Sequence, residues 1–101
     1  MSDVNHVESI VKVLEIPTRG FFINDILMTK VRCQLPQYQN TIIVDLIFWG
    51  KLAADILAFY KVNDYILIEG YLGLLVDRQS KSKKFEITVL KIYPLVSDFK
   101  E

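Results

Sequence analysis

Blocks of apolar residues with a period close to two run through the first half of the chain. "SIVKVLEI" (Ser9–Ile16) is rich in β-branched residues, and "ILMTKVRCQL" (Ile26–Leu35) alternates in its second half. "TIIVDLIFW" (Thr41–Trp49) is apolar on both of its faces except at Asp45. Such blocks are typical of half-buried or buried strands. The pattern therefore predicts three strands before residue 50.

Polar and turn-forming residues separate these strands. "PTRG" (Pro17–Gly20) ends the first strand, and "PQYQN" (Pro36–Asn40) is a short polar stretch typical of a hairpin connection. The dipeptide Asn24-Asp25 predicts a turn between the short apolar piece Phe21–Ile23 and the second strand. The three strands are therefore expected to follow one another through short connections.

The period changes after the third strand. In "KLAADILAFY" (Lys51–Tyr60), the side chains of Leu52, Ile56 and Phe59 fall on one helical face, with alanines between them. This spacing predicts one helix of about two to three turns that starts at Leu52 and ends at Tyr60.

Two further strands complete the pattern. "YILIEGYLGLLV" (Tyr65–Val76) contains Gly70 and Gly73, which indicate a bulge, a bend or a close backbone approach. "DRQSKSKK" (Asp77–Lys84) is a cation-rich turn, and "FEITVLKIYPL" (Phe85–Leu95) is the last strand. Three strands, a helix and two strands are the order of the five-stranded oligonucleotide-binding (OB) β-barrel. A different mixed α/β sandwich also fits this pattern.

Length and composition narrow the class of protein. A length of 101 residues predicts one small domain, which the strand pattern makes an all-β domain, and we expect flexible ends at residues 1–8 and 97–101. The hydrophobic content of 51% suggests that another subunit covers part of the apolar surface. Twelve Lys and Arg balance twelve Asp and Glu, so the net charge gives no support for a nucleic-acid or membrane partner.

The residue types that carry catalysis or bind metals are scarce. With one Cys (Cys33) and one His (His6), the chain offers neither an internal disulfide nor a Cys/His zinc site, and we expect no metal or other cofactor. No nucleophile has a matching base and orienting group, so we expect no enzyme. Cys33 is expected to be a small buried hydrophobe. Without a signal-like N-terminus or a membrane-spanning run, we expect a soluble protein with no membrane partner.

The segment "IFWGKLAADILAFYKVNDYILIEGYL" (Ile47–Leu72) resembles the centre of the bacterial and organellar single-stranded DNA-binding protein family. In that family a strand ends in an aromatic residue, Gly-Lys-Leu-Ala opens a helix with a Tyr near its end, and a strand with "IEG" follows a polar turn. The matching residues, spaced without a gap, are Trp49, Gly50, Lys51, Leu52, Ala53, Tyr60, Ile68, Glu69, Gly70 and Leu72. The resemblance covers most of the chain. In size and sequence character the chain is most similar to short family members encoded in red algal plastid genomes.

The resemblance implies an OB barrel that binds single-stranded DNA without sequence preference, in DNA replication, recombination or repair. It implies a plastid (chloroplast) stroma location, with the bacterial cytoplasm as the alternative. It also implies a homo-oligomer, dimer or tetramer, formed through the first strand, whose two faces are both apolar. In an alternative arrangement, Phe21 and Phe22 fold back and cover the outer face of that strand.

A second function fits the same fold. A protein-interaction or primosome-type accessory module would have the same barrel without most of the DNA contacts. Zero net charge, a carboxylate at Asp45, and the lack of the family's aromatic residues near Ile43 and Asp77 favour this alternative. Asp45 is expected to pair with Lys30 or Arg32 of the neighbouring strand.

Trp49 holds the place of the family's base-stacking residue before Gly-Lys-Leu. Period two directs Trp49 to the outer surface and Phe48 into the barrel. Tyr71 is a second stacking candidate. The resemblance and the outward alternation assign phosphate contacts to seven cations: Lys30, Arg32, Lys51, Arg78, Lys81, Lys83 and Lys84. The alternatives are a partly buried core or interface role for Trp49 and ordinary solvated charge for the cations.

Overall fold

Six strands and one helix make up the part of the chain that the structure, a computed structural model, describes: residues 5–36 and 40–95. In chain order they are β1 (His6–Glu15), β2 (Phe21–Ile23), β3 (Ile26–Pro36), β4 (Thr41–Trp49), α1 (Lys51–Phe59), β5 (Tyr65–Val76) and β6 (Lys83–Pro94). The predicted extents of β4 and β5 are confirmed, and the other elements differ from prediction by a few residues at their ends.

The strands close into a barrel. Neighbouring strands follow the order β1-β5-β6-β4-β3, and a pairing between β1 and β3 completes the ring. All pairings are antiparallel except that of β4 with β6, which is parallel. The short strand β2 pairs with the first residues of β3, Ile26–Met28, before the part of β3 that pairs with β1. This is the predicted five-stranded OB barrel. The alternative prediction, a mixed α/β sandwich, is wrong.

Alternate residues of the barrel strands form the core. On β4, Val44, Leu46 and Phe48 are buried as period two predicts, with Phe48 wholly inaccessible to solvent. Each of the other barrel strands contributes at least two side chains: Val11, Val13, Val31, Cys33, Ile66, Ile68, Ile87 and Val89. Cys33 is wholly buried, and burial together with the nearby charge of Asp45 raises the pKa of its thiol to about 12. The thiol is therefore the buried hydrophobe that the sequence predicts.

The helix α1 packs on the barrel with a face that includes two of the three predicted residues, Leu52 and Ile56. Ala53 and Ile56 are fully buried, and Leu57 and Tyr60 pack against the core beside them. These positions follow the i, i+3, i+4, i+7 spacing of a helix stripe. Phe59 lies off that stripe and is 75% exposed, so its predicted place on the buried face is wrong. No helix among residues 5–36 and 40–95 has the length and apolar character to cross a membrane.

Strand β1 begins at His6, three residues before the predicted start at Ser9. His6 pairs with Tyr71 of β5, and its Nε2 atom lies 2.8 Å from the Glu69 carboxylate. This hydrogen bond is the main cause that lowers the pKa of Glu69. Residues 1–4 and 97–101, predicted to be flexible, lie outside the described residues, as does most of the predicted connection at Pro36–Asn40.

A bulge and a close backbone contact occur at Gly70, as its position inside a strand predicts. The register between β5 and β6 shifts between Glu69 and Gly70. A Cβ atom at Gly70 would stand 2.2 Å from the carbonyl oxygen of Thr88. A Cβ atom at Gly73 would lie 3.9 Å from the nearest backbone oxygen, which is an ordinary contact distance. Lack of space for a side chain therefore requires glycine at residue 70 but not at residue 73.

Candidate nucleic-acid interface

Three neighbouring strands present one continuous surface to solvent. Lys30 and Arg32 of β3 stand opposite Ile47 and Asp45 of β4. The parallel pairing then sets Asp45 beside Glu86 of β6. Directly paired residues point to the same side of a sheet. We call this surface the outer face, formed by Lys30, Arg32, Ile43, Asp45, Ile47, Trp49, Lys84, Glu86 and Thr88.

Trp49 lies at the end of the outer face, where β4 stops. Its side chain is 39% exposed, whereas that of Phe48 is wholly buried. Gly50 follows with a left-handed φ of 62°, a conformation that glycine adopts without strain. The N–H of Gly50 donates to the carbonyl of Leu27 at 2.7 Å, and α1 begins at the next residue. The Gly-Lys turn therefore ends the strand directly after Trp49, whose side chain stays partly exposed.

Asp45 is buried within the outer face, not solvated on it. It is 4% exposed, and its Oδ2 atom lies 2.6 Å from Nζ of Lys84 while Oδ1 lies 3.6 Å from Nε of Arg32. A desolvated carboxylate requires such compensation by cations. The predicted partner Arg32 is confirmed, and the alternative partner, Lys30, is not found at Asp45. Lys84 was not predicted, because only the parallel β4–β6 pairing brings it there.

Lys30 has a different carboxylate partner. Its Nζ atom lies 3.1 Å from Oε2 of Glu86, whose side chain is 17% exposed. Arg32 also approaches Glu15 of β1 at 4.0 Å. The cations of the outer face are thus neutralised by carboxylates of the same protein, which the sequence reading missed apart from Asp45. A charged concavity of about 300 Å³ lies among them, lined by Glu15, Ile16, Pro17, Lys30, Arg32, Asp45 and Lys84.

A second group of cations lies at the connection between β5 and β6: Arg78 and Lys81 in the turn itself, and Lys83 at the first residue of β6. The Asp77 carboxylate accepts hydrogen bonds from the N–H groups of Gln79 and Ser80. These bonds lower the pKa of Asp77, and the bond from Gln79 has the largest effect. The three cationic side chains are exposed, and within the described residues no carboxylate lies within 4 Å of them. They are the cations best placed to meet a new anion.

The remaining two candidates lie beside the outer face. Lys51, in the first turn of α1, is exposed and forms an i,i+4 ion pair with Asp55 at 3.1 Å. Tyr71 is paired with Thr88 of β6 and is 44% exposed, so it continues the outer face across β5. The ring of His6 meets it edge-on, with centroids 5.8 Å apart.

Phe21 also lies beside this surface, which was not predicted from the sequence. Phe21 and Phe22 form part of β2 and are 66% and 74% exposed, so they do not cover β1 as the alternative arrangement required. Phe21 pairs with Met28, which in turn pairs with Trp49. The Asn24-Asp25 turn was the signal that could have revealed this, since a two-residue hairpin loop fixes which residues stand opposite each other.

Metal chemistry has no support among the residues that the structure describes. No group of three or more His, Cys, Asp or Glu side chains in the two described segments is arranged to hold a metal ion. The carboxylates of the outer face instead contact Lys and Arg side chains. The surface is thus a set of ion pairs bordered by aromatic rings, a combination suited to binding a polymer of planar bases and phosphates.

Comparisons with solved structures reproduce the barrel. The SSB domain of a Synechococcus sp. protein superposes with a TM-score of 0.73 at 21% identity, covering 92% of this chain and 98% of that one. A small single-stranded DNA-binding protein from Streptomyces coelicolor gives a TM-score of 0.78 at 14% identity, covering 95% and 97%. At these identities the likeness shows the shared fold.

Comparison of sequences shows a closer relationship. No protein-family model matches the chain. The protein named "Putative single-stranded DNA-binding protein ycf41" from Trieres chinensis is 34% identical over 105 residues, which span 94% of this chain and 92% of the relative. Identity at this level over nearly the whole of both chains establishes common descent. The chain therefore belongs to the ycf41 family of single-stranded DNA-binding proteins.

Proposed function

We propose that this protein binds single-stranded DNA without strong sequence preference, with Trp49 stacking on a base. The observation that carries the proposal is the position of Trp49, 39% exposed at the end of β4 and on the same surface as the cations of the outer face. Stacking on an aromatic ring contributes about 1–3 kcal/mol per base and accepts every base. The name of the ycf41 relative and the shared SSB-type barrel support the proposal.

The two groups of cations are proposed to act differently on phosphates. Arg78, Lys81 and Lys83 contact phosphate directly, releasing counterions from the DNA. Lys30, Arg32, Lys84 and Lys51 first have to leave the carboxylates with which they pair. The net electrostatic gain from this second group is therefore smaller than the number of its cations suggests. Tyr71 is proposed as a further stacking position.

The proposal also covers the compartment in which the protein acts and the DNA processes that it serves. We place the protein in the plastid stroma, because the sequence resembles short family members encoded in plastid genomes and the relative with the name ycf41 is similar over nearly its whole length. There it would coat single strands during replication, recombination or repair, acting as a binding protein and not as an enzyme. Fractionation of plastids, with detection of the protein in the stromal fraction, tests the location.

The alternative function is a protein-interaction or primosome-type accessory module. The ion pairs that neutralise the outer face favour it, as does Ile43, which is 53% exposed where the related family has an aromatic ring. The two functions differ in one simple measurement. Only the first requires that a single strand reaches the ring of Trp49.

A fluorescence titration with a thymine oligonucleotide at low salt tests the proposed function. Trp49 is the only Trp, so quenching on binding reports directly on stacking at that ring. The logarithm of the affinity should fall with the logarithm of salt concentration, by about 0.7 for each phosphate neutralised. If neither quenching nor an electrophoretic mobility shift occurs at tens of micromolar protein, the interaction module becomes the better explanation.

Neutralising the β5–β6 turn separates stacking from phosphate contacts. The variant with Gln in place of Arg78, Lys81 and Lys83 should bind more weakly and with a smaller salt slope. Its fluorescence quench at saturation should persist, because the indole is unchanged. An unaltered salt slope would remove the phosphate role of this turn and leave the stacking role of Trp49 in place.

Asp45→Asn is expected to strengthen DNA binding about 2- to 5-fold at low salt. The substitution keeps the shape of the side chain and removes the charge that holds Arg32 and Lys84. Those two cations, each about half exposed, can then meet phosphates, and the salt slope should increase. The titration described above, repeated with this variant, measures both effects.

Asp64→Asn is the matched control for Asp45→Asn. It changes the net charge equally, and Asp64 lies in the turn after α1, where its carboxylate accepts the N–H of Lys61. The amide oxygen of Asn can accept the same bond. If both substitutions raise the affinity to the same extent, the effect belongs to net charge and the role assigned to Asp45 is wrong.

Self-association through β1 is the second part of the proposal. From His6 to Val11, β1 pairs with β5 along one edge, and its pairing with β3 starts only at Lys12. Within the described residues, the other edge of this first half has no partner strand, and Ile10 beside it is 44% exposed. An unpaired strand edge is a template for a second copy.

Light scattering at high micromolar concentration should therefore give the mass of a dimer or tetramer. Ile10→Lys should shift the population towards monomer, because it places a charge at the proposed interface. Val62→Lys, at a similarly exposed apolar residue in the turn after α1, should have no such effect. A monomeric wild-type protein would contradict the proposal.

A further inference from the structure

A row of three apolar side chains crosses the sheet at the end of the outer face. Phe21 of β2 stands directly opposite Met28 of β3, and Met28 stands directly opposite Trp49 of β4. Because directly paired residues project from the same side, the three side chains form one line across the strands. Adjacent strands are about 4.8 Å apart, so Phe21 and Trp49 are separated by about 10 Å.

The two rings at the ends of this row are open to solvent. Phe21 is 66% exposed and Trp49 is 39% exposed, while Met28 between them is partly buried. Phe21 does not belong to the hydrophobic core cluster or to the side chains packed against it. The exposure of Phe21 is therefore not explained by the packing of the barrel.

The backbone holds Phe21 in place. Asn24 and Asp25 both have left-handed φ values, 50° and 66°, as in the two-residue loops that match the twist of a β-hairpin. This loop fixes the register in which Ile23 faces Ile26 and Phe21 faces Met28. The ring is thus attached to a paired strand, which reduces the entropy lost when a ligand binds.

We propose that Phe21 is a base-stacking position in addition to Trp49 and Tyr71, and that single-stranded DNA crosses β4, β3 and β2 with one base on Trp49 and another on Phe21. This inference rests on the proposed function. A separation of about 10 Å corresponds to about three steps of a stacked strand and to fewer steps of an extended one. The strand would run at a right angle to the direction of β4, so that its bases lie along the row.

The surroundings of the row match a nucleic acid better than an apolar protein segment. Lys30 lies two residues beyond Met28 on the same side of β3 and is exposed, with its ammonium group 3.1 Å from Glu86. A cation beside a row of rings suits a chain that carries planar bases and phosphates together. Continuity with Trp49 makes the row an extension of the proposed site.

Phe22 provides a matched control within the same strand. It is 74% exposed, and it pairs with Leu27, which packs against the core, so it projects from the other side of β2. Phe21→Ala and Phe22→Ala remove the same side chain from neighbouring positions of similar exposure. Only the first substitution removes a ring from the row.

The test compares wild type, Phe21→Ala, Phe21→Tyr and Phe22→Ala in binding to a fluorescently labelled thymine octanucleotide, with circular dichroism as the check of folding. Phe21→Ala should weaken binding about 5- to 150-fold, while Phe21→Tyr and Phe22→Ala stay close to wild type. The quench of Trp49 at saturation should be retained in Phe21→Ala. With a thymine dinucleotide, too short to reach both rings, the difference between wild type and Phe21→Ala should disappear.

Three results would overturn the inference while leaving the proposed function standing. The first is wild-type affinity in Phe21→Ala, and the second is an equal loss in Phe22→Ala, which indicates a general effect on the hairpin. The third is a change of mass in light scattering with unchanged affinity per protein chain, which assigns Phe21 to a protein interface. Absence of binding by the wild type itself overturns the proposed function and the inference together.

Discussion

Trp49→Ala is expected to weaken binding of a thymine oligonucleotide by about 5- to 150-fold, the loss of one stacked base. The ring is partly exposed at the end of β4 and lies outside the core cluster, so the barrel should remain folded. Because the substitution removes the only Trp, affinity has to be measured by the anisotropy of a labelled oligonucleotide.

Two further substitutions serve as controls for this measurement. Trp49→Phe keeps an aromatic face and should retain most of the affinity. Phe48→Ala removes the neighbouring ring, which is wholly buried, and should reduce the free energy of unfolding by about 3–5 kcal/mol. If Trp49→Ala binds DNA as tightly as the wild type, the indole is not a stacking platform. If it unfolds the protein, the ring belongs to the core.

Gly70→Ala is expected to lower the free energy of unfolding by about 3 kcal/mol, at the upper end of the usual cost of overpacking. The added methyl group would stand 2.2 Å from the Thr88 carbonyl oxygen and 3.0 Å from a methyl group of Ile87. Backbone cannot move aside as a flexible side chain can, so the β5–β6 pairing has to open at the bulge. Urea denaturation followed by circular dichroism measures the change.

Gly73→Ala is the control for this prediction, on the same strand and three residues further along. Its new methyl group would be 3.9 Å from the Glu86 carbonyl oxygen, an ordinary contact distance. Replacing glycine within a strand also removes conformational freedom from the unfolded chain, so this variant should be as stable as the wild type or slightly more stable. Equal destabilisation by both substitutions would contradict the steric explanation.

The sequence predicts the barrel well because its strongest signals are local. The apolar blocks locate β4 and β5 to the residue, and the change of period after Trp49 locates α1 to within one residue at each end. Alternation along β4 assigns Phe48 to the core correctly. These features depend on near neighbours in the chain, which a period of two or 3.6 captures directly.

What the sequence does not predict depends on pairings between distant segments. Asp45 pairs with Lys84 as well as with the predicted Arg32, and nothing near Asp45 or Lys84 indicates that β4 and β6 run in parallel beside each other. The error at Phe59 has a similar origin, because the direction in which α1 packs decides which of two apolar stripes is buried. The turn at Asn24-Asp25 was predicted correctly, but the place of Phe21 beside Trp49 was not, because β2 has only three residues, too few to show a period.

In the proposed complex with single-stranded DNA, the ion pairs of the outer face would also affect how quickly the DNA leaves. When a phosphate departs from Lys84 or Lys30, Asp45 or Glu86 is close enough to take its place at once. Each cation would then exchange one anion for another instead of waiting for water to solvate it, which would favour rapid dissociation. Differences in affinity between related complexes arise mostly from dissociation rates. A coat with short residence times is easily displaced by an enzyme that advances along the same strand.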